Sequence, residues 1–307
     1  VAAETDARGQ IASFSAEAIG GTFRGRPRPG PDRAGPAKLI ANWLRSDAIP
    51  AQPAKPNWNR HGGLHRNLDP IYAIPQTRLI KNLVQDMPHR TSALRCLGAT
   101  ANVFALESSI DEIARAQKTD SIAFRKAHLT DARAIAVVDR LERAMGERPA
   151  QGDMGGRGIA YAQYKNAMTR VGICVDIEVS EQAEIKLKHA IIVADAGRVV
   201  DADGLAAQLE GGFLQGASWA LYEAVTWDRD GITSRDWDSY PVLLFDNVPT
   251  IDVIVLDGAD HKPVGAGEAS PGPTVAAIAN AVFDAIGLRL RRMPFTADAI
   301  RGAALQE

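Results

Sequence analysis

The sequence predicts an α+β fold of two subdomains, in which mixed sheets pack against helices. Apolar residues alternate strictly from Val171 to Val179, as expected of a β-strand. After Pro271 the apolar residues instead recur at helical spacing until Gly287. Between the helical first half and this second half lies a polar, glycine-rich segment from 146 to 158. We therefore expect subdomains at 1–150 and 151–307.

Composition excludes several classes of function. The chain has 307 residues and a net charge of −2, so it can bury a large core and carries no charge bias towards nucleic acid or a membrane surface. No run of 18 apolar residues occurs, so no membrane span is expected. Cys96 and Cys174 are the only cysteines, which is too few for an iron–sulfur cluster. Two cysteines do not indicate whether the protein folds in an oxidising or a reducing compartment.

The first 56 residues predict a hairpin and then an irregular excursion. Weak alternation from Val1 to Phe23 surrounds the turn signal Asp6-Ala7-Arg8-Gly9. Residues 24–56 are rich in proline, glycine and arginine, apart from a short helical stretch around 39–44. The arginines at 24–33 have no aromatic residues between them, which favours a solvated loop or a subunit contact over an arm that binds nucleic acid.

A polar loop and the first helices follow. His61 and His65 have the spacing of a zinc helix, but two glycines separate them, so we expect a loop that leads into a strand at 71–74. Val103 begins an apolar face that continues at Leu106, Ile110 and Ile113, which predicts a helix after a turn at 95–98. A second helix, capped by Thr130 or Asp131, extends to Met145 after a connecting turn.

The second half predicts a strand pair and a glycine-rich helix. A half-buried strand at 171–179 turns at 180–184 and returns at 185–193. The helix at 205–224 contains Gly211, Gly212 and Gly216, each costing up to ~1 kcal/mol relative to alanine, which indicates close packing of a backbone or a ligand. On the same helix, Gln208 and Gln215 lie seven residues apart, on one face. Either two contacts to one polar ligand or two exposed glutamines fit this spacing.

The last elements lead to a single acid in a glycine-rich turn. Strands are expected at 240–245 and 251–256, ahead of Glu268. Ser270 is a good helix cap and Pro271 a good first helical residue. The helix N-terminus would favour an anion in the same space.

The stretch GAGEASPGPTVAAIANAVFDAIG at 265–287 resembles the C-terminal signature of the large subunits of the xanthine dehydrogenase/aldehyde oxidase family, the molybdenum hydroxylases. It is most similar to the isoquinoline 1-oxidoreductase and nicotinate dehydrogenase type. The resemblance implies a molybdenum cofactor-binding domain in which Glu268 is the active-site base. It also implies that the neighbouring residues of the loop contact the cofactor, namely Gly265, Ala266 and Gly267.

Two further motifs carry the resemblance. The glycine-rich helix is similar to the family's Gln-x-Glu-Gly-x-x-x-Gln-Gly helix, which implies cofactor contacts from Gln208, Gly211, Gly212 and Gln215. The turn at 95–98 resembles the family's Arg-Gly-(Phe or Leu)-Gly turn, so Arg95 would line the molybdenum pocket and Leu97 would face the substrate. This sequence departs from the family at Cys96, usually glycine, and at Asp201-Ala202, usually Asn-Pro.

The family's activity implies cofactors and partners. Its members hydroxylate aldehydes or N-heteroaromatic rings with oxygen from water, using a molybdopterin-type cofactor, in some cases the cytosine dinucleotide form. Electrons would pass to 2Fe-2S clusters on a partner subunit, with an FAD or cytochrome subunit as a further partner. Because the chain matches only the inner and C-terminal part of the family's large subunit, we expect a fragment, or a split subunit whose N-terminal half is a separate chain.

Two other functions fit the residues. One is a non-catalytic scaffold subunit of a split molybdenum hydroxylase, which keeps the fold and has lost the cofactor. The other is a metal-free hydrolase with paired carboxylates such as Asp257 and Glu268, which would need to lie roughly 5–10 Å apart.

Overall fold

A computed structural model describes residues 1–21, 23, 40–50, 55–85, 87–89, 91–147 and 154–305. Most of the predicted excursion at 24–56 lies outside these residues, including Arg24, Arg26, Arg28 and Arg33. The described part of it contains a short helix, α1 (Ile40–Trp43), inside the predicted helical stretch.

The described residues contain two sheets, a small hairpin and helices on both sides of the larger sheet. The strands are β1 (Ala2–Thr5), β2 (Ile11–Gly20), β3 (Gln76–Leu83), β4 (Gly155–Gln163), β5 (Arg170–Val179), β6 (Ile185–Asp195), β7 (Trp227–Asp228), β8 (Gly231–Ile232) and β9 (Thr250–Val255). The longer helices are α2 (Ala99–Ala116), α3 (Ser121–His128), α4 (Ala132–Met145), α5 (Ala202–Leu221), α6 (Pro271–Ile286) and α7 (Ala297–Ala304).

The smaller sheet has the order β1-β2-β3 and begins with the predicted hairpin. Asp6 closes its turn by accepting hydrogen bonds at Oδ1 from the backbone N–H of Arg8 (2.8 Å) and Gln10 (3.0 Å). The third strand pairs parallel to β2 and was predicted too early in the chain, at 71–74. Those residues pack against the helices instead, because Ala73 donates its backbone N–H to His128 O (2.7 Å).

The larger sheet has the order β4-β5-β6-β9, with β9 parallel to β6 and the other pairs antiparallel. Strand β5 was predicted to be half-buried, but the segment Val171 to Ile177 is buried on both faces. Ile173 and Val175 belong to the hydrophobic cluster that includes α6, whereas Cys174 belongs to the cluster that includes α4. Alternate residues of β5 thus point into two different apolar clusters, because helices cover both sides of the sheet.

Several elements were not predicted, among them α3, β4 and α7. Helix α3 lies where a connecting turn was expected, with Asp120 as its N-cap. Strand β4 begins at the end of the glycine-rich segment, where Gly156 and Gly158 face α6. A Cβ on Gly158 would lie 1.9 Å from Ala277 O, so the glycines mark a close strand–helix approach as well as a break between elements.

The predicted strand at 240–245 is wrong. The structure describes this whole range, and it contains a segment without regular secondary structure, followed by a 3-10 turn (Phe245–Asn247). Leu243 donates its backbone N–H to Ser218 Oγ on α5 (2.9 Å), which holds the segment on a helix instead of a sheet edge. The side chain of Phe245 is 90% exposed.

Each of the two hydrophobic clusters contains residues from both sides of position 150. Cys96 and Ala99 join the first cluster with the α5 and α6 residues, and Ile159 and Tyr161 join the second with α2 to α4. The subdomain boundary at 150 therefore stays a prediction, and residues 148–153 lie outside the described part of the chain.

A buried ion pair ties the helices to β4. The side chains of Glu107 and Arg125 are both 0% exposed, with 2.9 Å between Glu107 Oε2 and Arg125 Nε. Glu107 also accepts hydrogen bonds from Tyr72 Oη (2.6 Å) and from the backbone N–H of Tyr161 (2.8 Å). With its acceptors satisfied, this pair fixes α2, α3 and β4 relative to each other.

We expect Gly158→Ala to lower the free energy of unfolding by about 3 kcal/mol or more, because the new methyl group would overlap the α6 backbone. Gly302→Ala is the matched control, since a Cβ there meets nothing within 4 Å and α7 should gain up to ~1 kcal/mol. Denaturant unfolding of both variants tests the pair. Equal midpoints would contradict the close approach.

Candidate active site

The glycine-rich loop between β9 and α6 holds Glu268 at the meeting point of several segments. Val264 donates its backbone N–H to Ala196 O (2.9 Å), and Thr169 Oγ1 donates to Gly265 O (3.0 Å). Gly265 is exposed, whereas Ala266 is 8% exposed and anchors the loop in the protein. The loop ahead of the acid is therefore fixed to the rest of the protein.

Ser270 does not cap α6 with its side chain, contrary to prediction. It is fully buried, and its Oγ donates to Leu209 O on α5 (2.8 Å). Pro271 is the first residue of α6, as predicted, and Gly287 ends it with φ 74°. The serine thus joins two helices, because the first turns of α6 are buried against α5.

Glu268 is 37% exposed and its carboxylate contacts groups from three other segments. Oε1 accepts the backbone N–H of Cys96 (3.1 Å), and Oε2 accepts the hydroxyl of Tyr164 in a short hydrogen bond. Arg66 Nη1 lies 3.6 Å from Oε2. These partners orient both carboxylate oxygens from one side, and the other side of the carboxylate remains open.

No sequence motif points to Arg66 or Tyr164. Arg66 follows the loop containing His61 and His65, and Asn102 Nδ2 holds that loop on α2 by donating to Leu64 O and Arg66 O (both 2.9 Å). Tyr164 lies in a 3-10 turn directly after β4, a strand that was not predicted. Only the three-dimensional packing of these segments brings the two side chains to Glu268.

Arg95 connects the acidic loop to α5. Its Nε donates to Gly267 O in a short hydrogen bond, and its Nη2 donates to Gln208 O (2.9 Å) and Gln208 Oε1 (3.2 Å). Burial lowers the pKa of Arg95, although the Glu268 carboxylate acts in the opposite direction. The structure therefore brings together Arg95, Gln208, Gly267 and Glu268 from separate parts of the sequence.

The backbone of the turn at 95–98 explains why the resembled family usually has glycine at the position of Cys96. Cys96 has φ 72° and Leu97 has φ 54°, both in the left-handed region. The side chain of Cys96 is 1% exposed, and burial raises the pKa of its thiol to about 11, so it is protonated at neutral pH. Leu97 is half-buried.

The glycines of α5 are explained chiefly by helix packing. A Cβ on Gly212 would lie 2.2 Å from Ser270 Oγ, and one on Gly216 would lie 2.8 Å from Pro271 O. The nearest atom to a Cβ on Gly211 would be Arg95 Nη1, at 3.7 Å. Along the same helix, Gln208 is exposed, and the half-buried Gln215 follows roughly 10 Å further on.

The chain matches the model of the molybdopterin cofactor-binding domain family over residues 90–249. That match covers just over half of the chain and includes the turn at 95–98, Tyr164 and α5. The chain belongs to this family.

The chain is also similar to curated subunits of oxidoreductases. The chain is 38% identical over 230 residues to one subunit of nicotinate dehydrogenase from Pseudomonas putida, covering 70% of this chain and 19% of the relative. It is 33% identical over 205 residues to the beta subunit of isoquinoline 1-oxidoreductase from Brevundimonas diminuta, covering 66% of this chain and 26% of the relative. The chain thus spans about a fifth to a quarter of the length of these relatives.

Among solved structures, quinoline 2-oxidoreductase from Pseudomonas putida 86 superposes with a TM-score of 0.76 at 12% identity. It covers 97% of this chain, which in turn covers 61% of that one. At this identity the likeness shows the fold alone, which confirms the expected α+β fold.

Two properties of the described residues bear on other functions. No helix among them is long and apolar enough to cross a membrane. No group of three or more His, Cys, Asp or Glu side chains in the described ranges could hold a metal ion, which includes the region of His61 and His65.

The residues around Glu268 fit a molybdopterin-type cofactor by charge and hydrogen bonding. Two guanidinium groups, Arg66 and Arg95, lie near one carboxylate, which leaves an excess of positive charge. Gly265 and Gln208 are exposed beside them and supply backbone and amide groups. A polyanionic cofactor with many hydrogen-bonding groups suits this set of donors.

We expect Gly212→Ala to destabilise the protein by about 1–3 kcal/mol, because the methyl group would displace Ser270 Oγ from Leu209 O. Gly211→Ala, one residue away on the same helix, should be neutral or stabilising by up to ~1 kcal/mol. Thermal unfolding of the two variants measures this difference. If Gly211→Ala is the more harmful change, the packing explanation is wrong.

Proposed function

We propose that this chain is part of the large subunit of a molybdenum hydroxylase, which oxidises an aldehyde or an N-heteroaromatic substrate. The observation that carries the proposal is the placement of Glu268. It is a partly exposed carboxylate, oriented at both oxygens by fixed donors, within a cluster that carries more positive than negative charge.

Glu268 is the proposed general base. Each carboxylate oxygen has two lone-pair directions, and the contacts from Cys96 and Tyr164 occupy one on each oxygen. The remaining directions can accept a proton from water-derived oxygen during hydroxylation. The open side of Glu268 admits the reacting groups, while the buried side keeps its carboxylate fixed.

Arg95, Gln208 and the backbone of Gly265 and Gly267 would hold the cofactor. Gln215 would add a contact two turns along α5, and Leu97 would limit the space for substrate. Gly211, Gly212 and Ala266 would lie beside the cofactor, on the part of α5 and of the loop that packs near Arg95 and Ser270. When bound, the molybdenum cofactor supplies the centre that accepts two electrons from the substrate.

The partners belong to the proposal as well. The described residues offer no cysteine cluster, so the 2Fe-2S centres that take up the electrons would lie on another subunit. The remaining part of the large subunit would complete the substrate pocket, whether on the same polypeptide or on another. The names of the curated relatives describe them as subunits, which supports such an assembly.

We expect Glu268→Gln to retain molybdenum and to lower kcat by ~10²–10⁴-fold, because the amide cannot accept the proton. Glu178→Gln is the control, since Glu178 pairs with Lys188 on the surface and should leave kcat unchanged. Steady-state rates with metal analysis of the purified enzyme measure both. Full activity of Glu268→Gln would refute the assignment of the base.

A further inference from the structure

A chain of two hydrogen bonds leads from Arg66 to the carboxylate of Glu268. Arg66 Nη1 donates to Tyr164 Oη (2.5 Å), and Tyr164 Oη donates to Glu268 Oε2. A phenol has one proton to donate, and the bond from Arg66 occupies an acceptor site, so the proton of Tyr164 points to Glu268. The direction of both bonds is therefore fixed.

The two donors are held rigidly. Tyr164 is 4% exposed and the Arg66 side chain is 11% exposed. Arg66 Nε also donates to His61 O (3.0 Å), which fixes the plane of the guanidinium. Neither side chain can leave Glu268 without breaking these contacts.

Asn67 joins the two backbone segments that carry the donors. Its Nδ2 donates to Gln163 O (2.7 Å), and its Oδ1 accepts the backbone N–H of Lys165 (2.9 Å). Asn67, Lys165 and Asn166 have φ between 51° and 58°, in the left-handed region. Three non-glycine residues in this uncommon conformation indicate that the packing of this junction is closely determined.

The charged and titratable groups that face Glu268 come from every segment around it. They are Arg66 from the loop at 61–67, Tyr164 from the turn after β4, and Arg95 and Cys96 from the turn before α2. Burial, and then the hydrogen bond to Glu268, raise the pKa of Tyr164, so the phenol keeps its proton. Tyr164 is thus a permanent donor to the carboxylate.

We infer that Tyr164, supported by Arg66, is a positioning residue that keeps the Glu268 carboxylate oriented for proton transfer. This inference rests on the proposed function of Glu268 as the base. Tyr164 acts through Glu268, so its loss should matter only when the carboxylate is present.

The test is Tyr164→Phe in the purified enzyme, alone and combined with Glu268→Gln. Tyr164→Phe should lower kcat by ~10–100-fold with little change in KM and in molybdenum content, since one hydrogen bond to a charged group is lost. In the Glu268→Gln background it should cause no further loss of kcat. Tyr240→Phe is the matched control, because Tyr240 donates to Glu223 (2.7 Å) away from the site and should leave kcat unchanged in both backgrounds.

Thermal unfolding gives a readout that does not depend on turnover. The effects of Tyr164→Phe and Glu268→Gln on the unfolding midpoint should be non-additive, whereas those of Tyr240→Phe and Glu268→Gln should add. Unchanged kcat in Tyr164→Phe, or an equal further loss in the Glu268→Gln background, would overturn the inference. An active Glu268→Gln enzyme would instead overturn the proposed function, so the two failures are distinguishable.

Discussion

The close burial of α6 from Pro271 to Val282 is the constraint on which the rest of the structure depends. Residues from Pro271 to Val282 are all buried, between β4 on one side and α2 and α5 on others. Backbones can approach this closely only where side chains are absent, which explains Gly156 and Gly158 on β4 and Gly212 and Gly216 on α5. The loop that carries Glu268 leads directly into this helix, so the packing of α6 also fixes the acid.

Around Glu268 the protein combines side chains from distant segments into a cluster with excess positive charge. The guanidiniums of Arg66 and Arg95, the phenol of Tyr164 and the backbone N–H of Cys96 surround one carboxylate. These donors hold the carboxylate in one orientation, and the exposed side of Glu268 leaves room for chemistry. The site is rigid behind the carboxylate and open in front of it.

Local patterns in the sequence predicted the elements with clear periodicity and the residues inside known motifs. The hairpin, α2, the β5–β6 pair, α5 and α6 follow from periods of two or 3.6 residues, and the motifs placed Arg95, Gln208 and Glu268 near each other. Strand β4 was missed because its glycines resemble a break between elements, although they serve the contact with α6. Arg66 and Tyr164 were missed because only tertiary packing brings them to Glu268.

Glu268 can act as the proposed base only if this domain binds a molybdenum cofactor. The most direct measurement is the molybdenum content, together with the subunit masses, of the complex in which the chain is purified. We predict stoichiometric molybdenum, with an iron–sulfur subunit in the same complex. An intact complex without molybdenum would contradict this prediction, because Glu268 would have nothing to act on and the chain would be a scaffold.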